Sequence, residues 1–482
     1  MAMRIPALLA ALLLVSAGTA ASDADLASTD PVSNVPVNAE QTLATQRDAA
    51  DERYLRLMAE GRNSEAIAAG EELLALTRQL HGEGSLQLAS PLTNLATAQL
   101  RNGDLRDAGA NYQAAIDLLV MRDGFLSPRL ANPLVGLGET YLRNEQYLLA
   151  TETYERALRV NHVNEGFYNL EQIKIRDGLT ESYLGQQNLE KANFHQEAEI
   201  YVQQRKLGKD NPEFVPALNK LGRWYDRTRQ TESARFVYQS AARLVEKTEG
   251  ENSPALVDPL LSIAETYRQQ ALLPASPEST QSAETLLPMS SMMLRKALAI
   301  VEREEPPDPV QRARILVGLG DLYMMWDKRN TASDRYLEAW QVLSVDPALE
   351  GQRDEYFSQP VRIMGPVAPA IYPPLSSKGA PPALEDLEPG FVVVRFNVDQ
   401  LGRVSDAVVI EADPANLLEE RVTRAASYAL FRPRYVDGAP VATSGLILRH
   451  QFRYAPKKLD QEEATPAEED SKPLEQPTAG RG

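Results

Sequence analysis

An internal repeat constrains this chain more than any other feature. Ala66, Ala108, Ala150, Ala192 and Ala234 stand 42 residues apart, and their neighbourhoods match. In the third unit Leu134, Leu137, Gly138, Tyr141, Tyr147, Ala150, Tyr154 and Ala157 set small and aromatic residues at helical spacing. The fifth unit repeats the pattern with Leu218, Leu221, Gly222, Tyr225, Ala234, Tyr238 and Ala241. Small residues let two helices approach and aromatics fill the space between them, so each unit reads as a helical hairpin. One hairpin cannot bury its apolar face alone, and neighbours must therefore stack into a continuous core. A sixth unit opens with Ile263, Ala264 and Tyr267, but its second helix, read as Ser290 to Ile300, arrives late. The insertion 271–288 carries prolines and serines and reads as a surface loop. Leu319, Gly320, Tyr323, Ala332, Tyr336 and Ala339 form a seventh unit.

This spacing resembles the tetratricopeptide signature, and a period of 42 residues, against the usual period of about 34, resembles the kinesin-light-chain type of repeat. The resemblance implies a mainly α fold, a right-handed α-solenoid of about seven repeats over residues 49–345. In such arrays the first helix of each hairpin lines a concave groove. Transferring that frame makes Thr97 and Arg101 of the second unit, Glu139 and Arg143 of the third, and Asn219, Arg223 and Arg227 of the fifth the candidate partner-binding residues. Arginine recurs at Arg101, Arg143 and Arg227. Guanidinium pairs bidentately with carboxylate, which suits an acidic segment or a C-terminal carboxylate. The competing reading pairs these arginines with neighbouring Glu and Asp of the array itself.

The N-terminus reads as an export signal. Arg4 supplies the positive charge, Ile5 to Val15 the apolar stretch, and Ser16 to Ala21 the small residues of a cleavage site. Eleven apolar residues make only about 16 Å of helix, against a hydrocarbon core of about 30 Å. The segment 1–21 is therefore expected to be cleaved, leaving a periplasmic protein with a flexible stretch at 22–48. The chain has no cysteine, which excludes lipid attachment through an N-terminal Cys, disulfides and thiol catalysis. A formal net charge of −17 argues against nucleic-acid and anionic-membrane partners, which need a basic footprint.

After Val345 proline becomes frequent, and 346–371 reads as a linker. Phe391 to Val398 and Val404 to Glu411 read as a β-hairpin about Gln400, Leu401 and Gly402. Asn416 reads as the cap of a helix from Leu417 to Leu430, and Leu446 to Tyr454 as a closing strand. This order, together with Tyr372-Pro373, Gly390 to Phe396, Pro414-Ala415-Asn416 and Phe431-Arg432-Pro433 before Asp437-Gly438, resembles the C-terminal domain of the TonB family over 372–455. The resemblance implies a small α+β domain with a three-stranded antiparallel sheet. It further implies a periplasmic site at which a partner peptide adds as a strand to the open edge of the last strand. Leu446, Leu448, Arg449, Gln451 and Arg453 are the candidate residues of that edge, and the domain is expected to fold alone. The acid-rich tail 456–482 cannot bury enough apolar surface to order itself.

The four histidines, His81, His162, His195 and His450, are dispersed and fit no metal-ligand spacing, and the sequence has no nucleophile elbow, phosphate loop or dinucleotide fingerprint. No catalytic residue, metal or cofactor is expected. The function implied is that of a non-enzymatic scaffold for protein partners of the cell envelope, an outer-membrane protein among the candidates, with no nucleic acid or small-molecule substrate. The alternative is a divergent energy transducer for outer-membrane transport, which requires an uncleaved N-terminal anchor.

Overall fold

Helical hairpins and a C-terminal sheet domain make up the chain in a computed structural model, which describes residues 37–272, 282–372 and 387–455. The signal segment, the tail 456–482 and the middle of the insertion lie outside the described residues. Residues up to His195 form one compact unit and those from Gln196 a second. The hairpins are α1 (Val37–Ala59) with α2 (Asn63–His81), α3 (Ala89–Asn102) with α4 (Leu105–Asp123), and α5 (Ala131–Arg143) with α6 (Tyr147–Glu165). They continue with α7 (Gln172–Gly185) and α8 (Leu189–Leu207), α9 (Val215–Arg227) and α10 (Thr231–Glu249), α11 (Val257–Ala271) and α12 (Ala283–Val301), and α13 (Pro309–Met325) and α14 (Arg329–Ser344).

Two expected boundaries move. Helix α1 begins at Val37, inside the stretch 22–48 expected to be flexible, because Tyr54, Leu57 and Ala50 pack as a first-helix face. Helix α12 begins at Ala283, ahead of the expected Ser290, and takes Pro288 into its interior.

The long period has a local cause. Helices α2, α4, α6 and α10 each run 19 residues and stop at Gly82, Gly124, Gly166 and Gly250, whose φ angles of 79°, 87°, 78° and 95° are left-handed. Only glycine takes that conformation without a Cβ penalty. A short 3-10 turn follows in several repeats. Ser127, Asn211 and Ser253 cap it by accepting the amides of Arg129, Glu213 and Ala255, while Leu130, Phe214 and Leu256 are buried beneath. This extra turn and the long second helix account for 42 residues.

Tyrosine rings lock the hairpins. A Cβ at Gly222 would meet the Tyr238 ring at 2.3 Å, and one at Gly320 would meet Tyr336 at 2.3 Å, each within its own hairpin. Gly136 and Gly178 receive the rings of Tyr112 and Tyr154 from the preceding hairpin, at 2.2 Å from an ideal Cβ in each case. Where the fourth repeat lacks this tyrosine, polar groups enter the interior. His195 is 8% exposed, stacks on Tyr183 at 5.5 Å, and has its Nδ1 3.4 Å from Arg176 Nη1.

The C-terminal domain is built on β3 (Glu388–Val398) and β4 (Val404–Asp413), an antiparallel pair whose turn is tied by Asp399 Oδ1 accepting the amides of Leu401 and Arg403. Helix α16 (Glu419–Ser427) follows, then β5 (Leu430–Arg432), β6 (Arg434–Val436), β7 (Ala439–Val441) and β8 (Thr443–Tyr454). Helix α16 is shorter than the expected Leu417 to Leu430. Its cap position is Leu418, and Asn416 instead takes a left-handed turn with φ 65°. Val392, Val394, Phe396, Val398, Leu418 and Val422 form the core with Phe452.

The three antiparallel strands β3, β4 and β8 are joined by a fourth. Residues 346–371, expected to be a linker, contain α15 (Glu350–Phe357), β1 (Val361–Met364) and the start of β2 (Ile371–Tyr372). Strand β1 pairs with β5, and β2 lies parallel to β8, giving the sheet order β2-β8-β3-β4. The prolines of this stretch suit edges and turns, and leave enough free amides for short pairings.

Burial, followed by the charges of Arg176 and Lys191, holds the His195 imidazole down to about 3. A histidine depressed in the folded state stabilises fully above its ordinary value of about 6.5, and that stability is lost as pH falls toward the folded value. Between pH 7.5 and pH 5 this site should lose about 2 kcal/mol. Denaturant unfolding at the two pH values should show this loss in the native chain and a clearly flatter response in His195→Gln. Equal responses would show that His195 does not set the acid sensitivity.

Candidate partner-binding surfaces

In the first unit the first helices α3, α5 and α7 line an open groove of about 500 Å³, to which Thr97, Arg101, Glu139, Arg143 and Lys174 contribute. Thr97 donates to the Thr93 carbonyl, so the Tyr112 hydroxyl 2.9 Å away donates to Thr97. The two arginines repeat one device. Arg101 Nη1 donates to the Met58 carbonyl at 3.3 Å and Arg143 Nη1 to the Leu100 carbonyl at 3.2 Å, each reaching back to the C-terminal turn of the preceding first helix. A cation there adds a second donor to carbonyls that otherwise accept only the amides of Gly61 and Gly103, each at 3.3 Å, and meets the negative end of the helix dipole. Arg143 also pairs with Glu139 at 2.7 Å, and remains about half exposed to the groove. The structure therefore places these residues together, with part of each guanidinium already braced against the array.

In the second unit Asn219, Arg223 and Arg227 follow one another along a face of α9 at four-residue steps. Arg223 is exposed, Arg227 lies 4.8 Å from the Trp224 ring, and the Asn219 Oδ1 is buried without a hydrogen-bond partner.

The groove position of the last repeat is filled by the C-terminal domain itself. Allowing for the insertion, Asp321 on α13 stands in the frame of Thr97, Glu139, Arg223 and Glu265. Arg432 of β5 grips it with Nε and Nη2 on the two carboxylate oxygens, both at 3.1 Å, and donates Nη1 to the Tyr356 carbonyl at 3.1 Å. Tyr336 donates to the same carboxylate at 2.7 Å. Burial first, then the charge of Asp321, pushes that phenol well above its usual value, so it stays a donor. Around this pair Phe357 and Tyr435 each meet the Tyr336 ring edge to face and each other at a tilt, and Arg329 donates to the Leu401 carbonyl at 2.6 Å. The domain expected to fold alone is thus joined to α13, α14 and α15 through a shared polar and aromatic interior. Sequence reasoning picked out Phe431-Arg432-Pro433 as a family motif but not its socket.

At the sheet, Leu446 and Leu448 of β8 face the core beside Phe452, while Arg449, Gln451 and Arg453 face outward. Arg449 sits 3.8 Å from the Phe391 ring centre, and Arg453 donates Nη1 to the Leu387 carbonyl at 3.5 Å. The edge is not open along its whole length, as was expected. Arg453 donates its amide to Ala370 at 2.8 Å, β2 covers Arg453 and Tyr454, and His450 Nε2 lies 2.9 Å from the Pro369 carbonyl. Backbone groups alternate sides along a strand, so Ile447, Arg449 and Gln451 share the outward side of Arg453. Among the described residues these three positions form the free edge.

Hairpins with this packing and a sheet domain of this topology define a tandem tetratricopeptide array that carries a TonB-type C-terminal domain. Residues 383–454 match the family described as Gram-negative bacterial TonB protein C-terminal. Among solved structures, the nearly identical repeats of a kinesin light chain from Podospora anserina align at 18% identity, covering 44% of this chain and 98% of that one, with a TM-score of 0.38. The C-terminal part of a repeat-containing protein from Cytophaga hutchinsonii aligns at 13% identity over 61% of this chain and 95% of that one, with a TM-score of 0.40. The yeast Sti1 domain solved with an HSP90 peptide aligns at 15% identity over 64% and 96%, with a TM-score of 0.23. No curated protein matches the chain.

Removing one partner of a buried ion pair strands the other, at a cost of about 3 kcal/mol or more. Arg432→Ala should therefore raise amide exchange in α13 and β5 together and lower the unfolding free energy of the second unit by about that amount. Exchange that rises in β5 alone would show that the pair does not couple the domain to the last repeat.

Proposed function

We propose that this chain is a cell-envelope scaffold, exported by a cleaved signal segment, that holds one protein partner in the groove of α3, α5 and α7 and engages an extended peptide at the free edge of β8. The observation that carries the reading is the coexistence of two separate surfaces, a polar groove and a strand edge, on one chain whose C-terminal domain matches an envelope family. Nothing in the described residues groups His, Cys, Asp or Glu as a metal site, and no described helix is long and apolar enough to cross a membrane. Side chains in the groove give selectivity, and the outward amides and carbonyls of Ile447, Arg449 and Gln451 give a partner strand its backbone pairing.

In this reading the arginines have two tasks. Each braces the helix before it and offers its remaining donors to a carboxylate of the partner. A bidentate guanidinium contact is stronger than a neutral hydrogen bond, so its loss is measurable.

A photo-crosslinking residue in place of Val135 in the groove, or of Ile447 at the edge, should form adducts with envelope proteins in cells of the native host. The same residue at Leu148, exposed on α6, should not. Arg143→Glu should weaken the groove adduct about tenfold, or about 1.4 kcal/mol, at unchanged helix content. Adducts absent at both sites, or equally strong at Leu148, would overturn the scaffold reading. Intact mass of the mature protein should begin after Ala20 or Ala21, and retention of Met1 would favour a membrane-anchored protein instead.

A further inference from the structure

The repeats can be compared position by position, and the junction before the last hairpin differs from two of its counterparts. In the first unit Gln186 donates Nε2 to Thr151 Oγ1 at 2.6 Å, and in the second Arg235 donates to Gln270 Oε1. These are the same two repeat positions, joining a second helix to the end of the first helix of the next hairpin; Ile67 and Gly109, which stand there in earlier repeats, have no side chain able to make the bond. At the corresponding junction the positions hold Ser291 on α12 and Trp326 at the end of α13. The indole makes no hydrogen bond to the serine, and the Ser291 hydroxyl, in a residue only 4% exposed, has no partner among the described residues.

A second substitution accompanies the first. Tyr183 donates to Glu155 at 2.8 Å and Tyr225 donates to Glu197 at 2.7 Å, an interhelix contact between fixed repeat positions. In the last hairpin the same tyrosine, Tyr323, instead meets Arg295, whose Nη2 donates to it at 2.6 Å. A cation thus stands where these two repeats carry an anion and where Gln113 and Gln239 stand in others, in a chain of net charge −17. Lys328 adds another cation, held 4.9 Å over the Trp326 ring, while its neighbour Asp327 is turned to Arg329. Neither Arg295 nor Lys328 pairs with a carboxylate among the described residues.

These changes surround a cavity of about 280 Å³ lined by Pro288, Ser291, Met292, Arg295, Trp326 and Lys328. It combines an orphaned buried hydroxyl, an apolar wall of methionine and indole, and two cations without a carboxylate partner among the described residues. A buried polar group without a partner costs stability, and a ligand that satisfies it recovers that cost. We propose that this pocket is a binding site for an acidic peptide segment, which places an apolar side chain against Met292 and Trp326 and a neighbouring carboxylate on Arg295 and Lys328. The polar backbone of the segment meets Ser291. Methionine and tryptophan suit such a pocket, since the thioether adapts its shape and the indole offers a broad face. The site is separate from the groove of α3, α5 and α7 and does not depend on it.

The test uses the full chain with methionine methyl groups labelled for NMR, the Met292 signal being assigned with Met292→Leu. The probe is N-acetyl-phenylalanine, with its amide and acetate as comparisons. The acid should shift the Met292 methyl saturably in the millimolar range, and the amide should bind at least tenfold more weakly. Lys328→Glu, an exposed change, should weaken the acid at least tenfold, and Trp326→Gln, which places there the amide that Gln186 and Gln270 supply in two other repeats, should remove the response. No saturable shift, equal binding of acid and amide, an equal response to acetate, or full affinity in Lys328→Glu would each overturn the proposal. Arg143→Glu should leave this response unchanged, so failure of the groove reading and failure of this one are read separately.

Discussion

The close approach of tyrosine rings to helix backbones is the contact on which the rest of the molecule depends. At Gly138, Gly222 and Gly320 the ring of the partner helix occupies the volume of a side chain, so two helices meet more closely than any larger residue permits. Filled space of this kind tolerates little change, since overpacking by a single methyl group costs about 1 to 3 kcal/mol. The same ring also sets the polar chemistry of the hairpin. Its hydroxyl emerges at the groove, where Tyr112 meets Thr97, Tyr238 meets Asp226 and Tyr336 meets Asp321. The packing device and the surface chemistry are two ends of one side chain.

In the last hairpin that arrangement becomes a socket. Asp321, fixed by Tyr336, receives Arg432, and the C-terminal domain is held at the repeat position that Thr97 and Glu139 take in the groove of the first unit. A buried ion pair adds little net stability over an apolar contact, but it rejects alternatives, because an unmatched charge there is costly. The aromatic cluster of Tyr336, Phe357 and Tyr435 supplies apolar burial, and the ion pair fixes orientation. Strand β2, which follows α15 and β1, then runs back along β8 and shortens the edge open to a partner.

The array was legible in the sequence because its signals are local and repeated. Gly, Tyr and Ala keep one frame, and the helices fall on it. The glycines Gly82, Gly124, Gly166, Gly208 and Gly250 carry the same period and mark each helix end, a signal as plain as the alanines. The C-terminal strands were legible from alternation, and Leu446, Leu448 and Phe452 face inward as that alternation requires. What was not legible depends on distant partners. Val361 to Met364 and Ile371 to Tyr372 are short and proline-flanked, and become strands only because β5 and β8 offer edges. Arg432 carries no sign of Asp321, and Ser291 is orphaned only in relation to Trp326. Arg101 and Arg143 line the groove of the first unit, and their bonds to the Met58 and Leu100 carbonyls depend on how neighbouring hairpins stack.

The union of Asp321 with Arg432 spans 111 residues of sequence, whereas every described hairpin but that of α11 and α12 closes over a turn of a few residues. Contacts between near neighbours form early and those between distant ones late, because the closure entropy of the intervening loop must be met first. The hairpins of the array are therefore able to assemble in the order of synthesis, while the socket of the last one stays empty until β5 has been made. During that interval Tyr336 and Phe357 lack the ring of Tyr435, and β1 lacks its partner strand. A chain cut short before Leu430 keeps nearly all of its helices but presents an unsealed aromatic surface and a lone strand edge. Such a fragment is prone to aggregation and is open to proteases at the one end where the complete protein is closed.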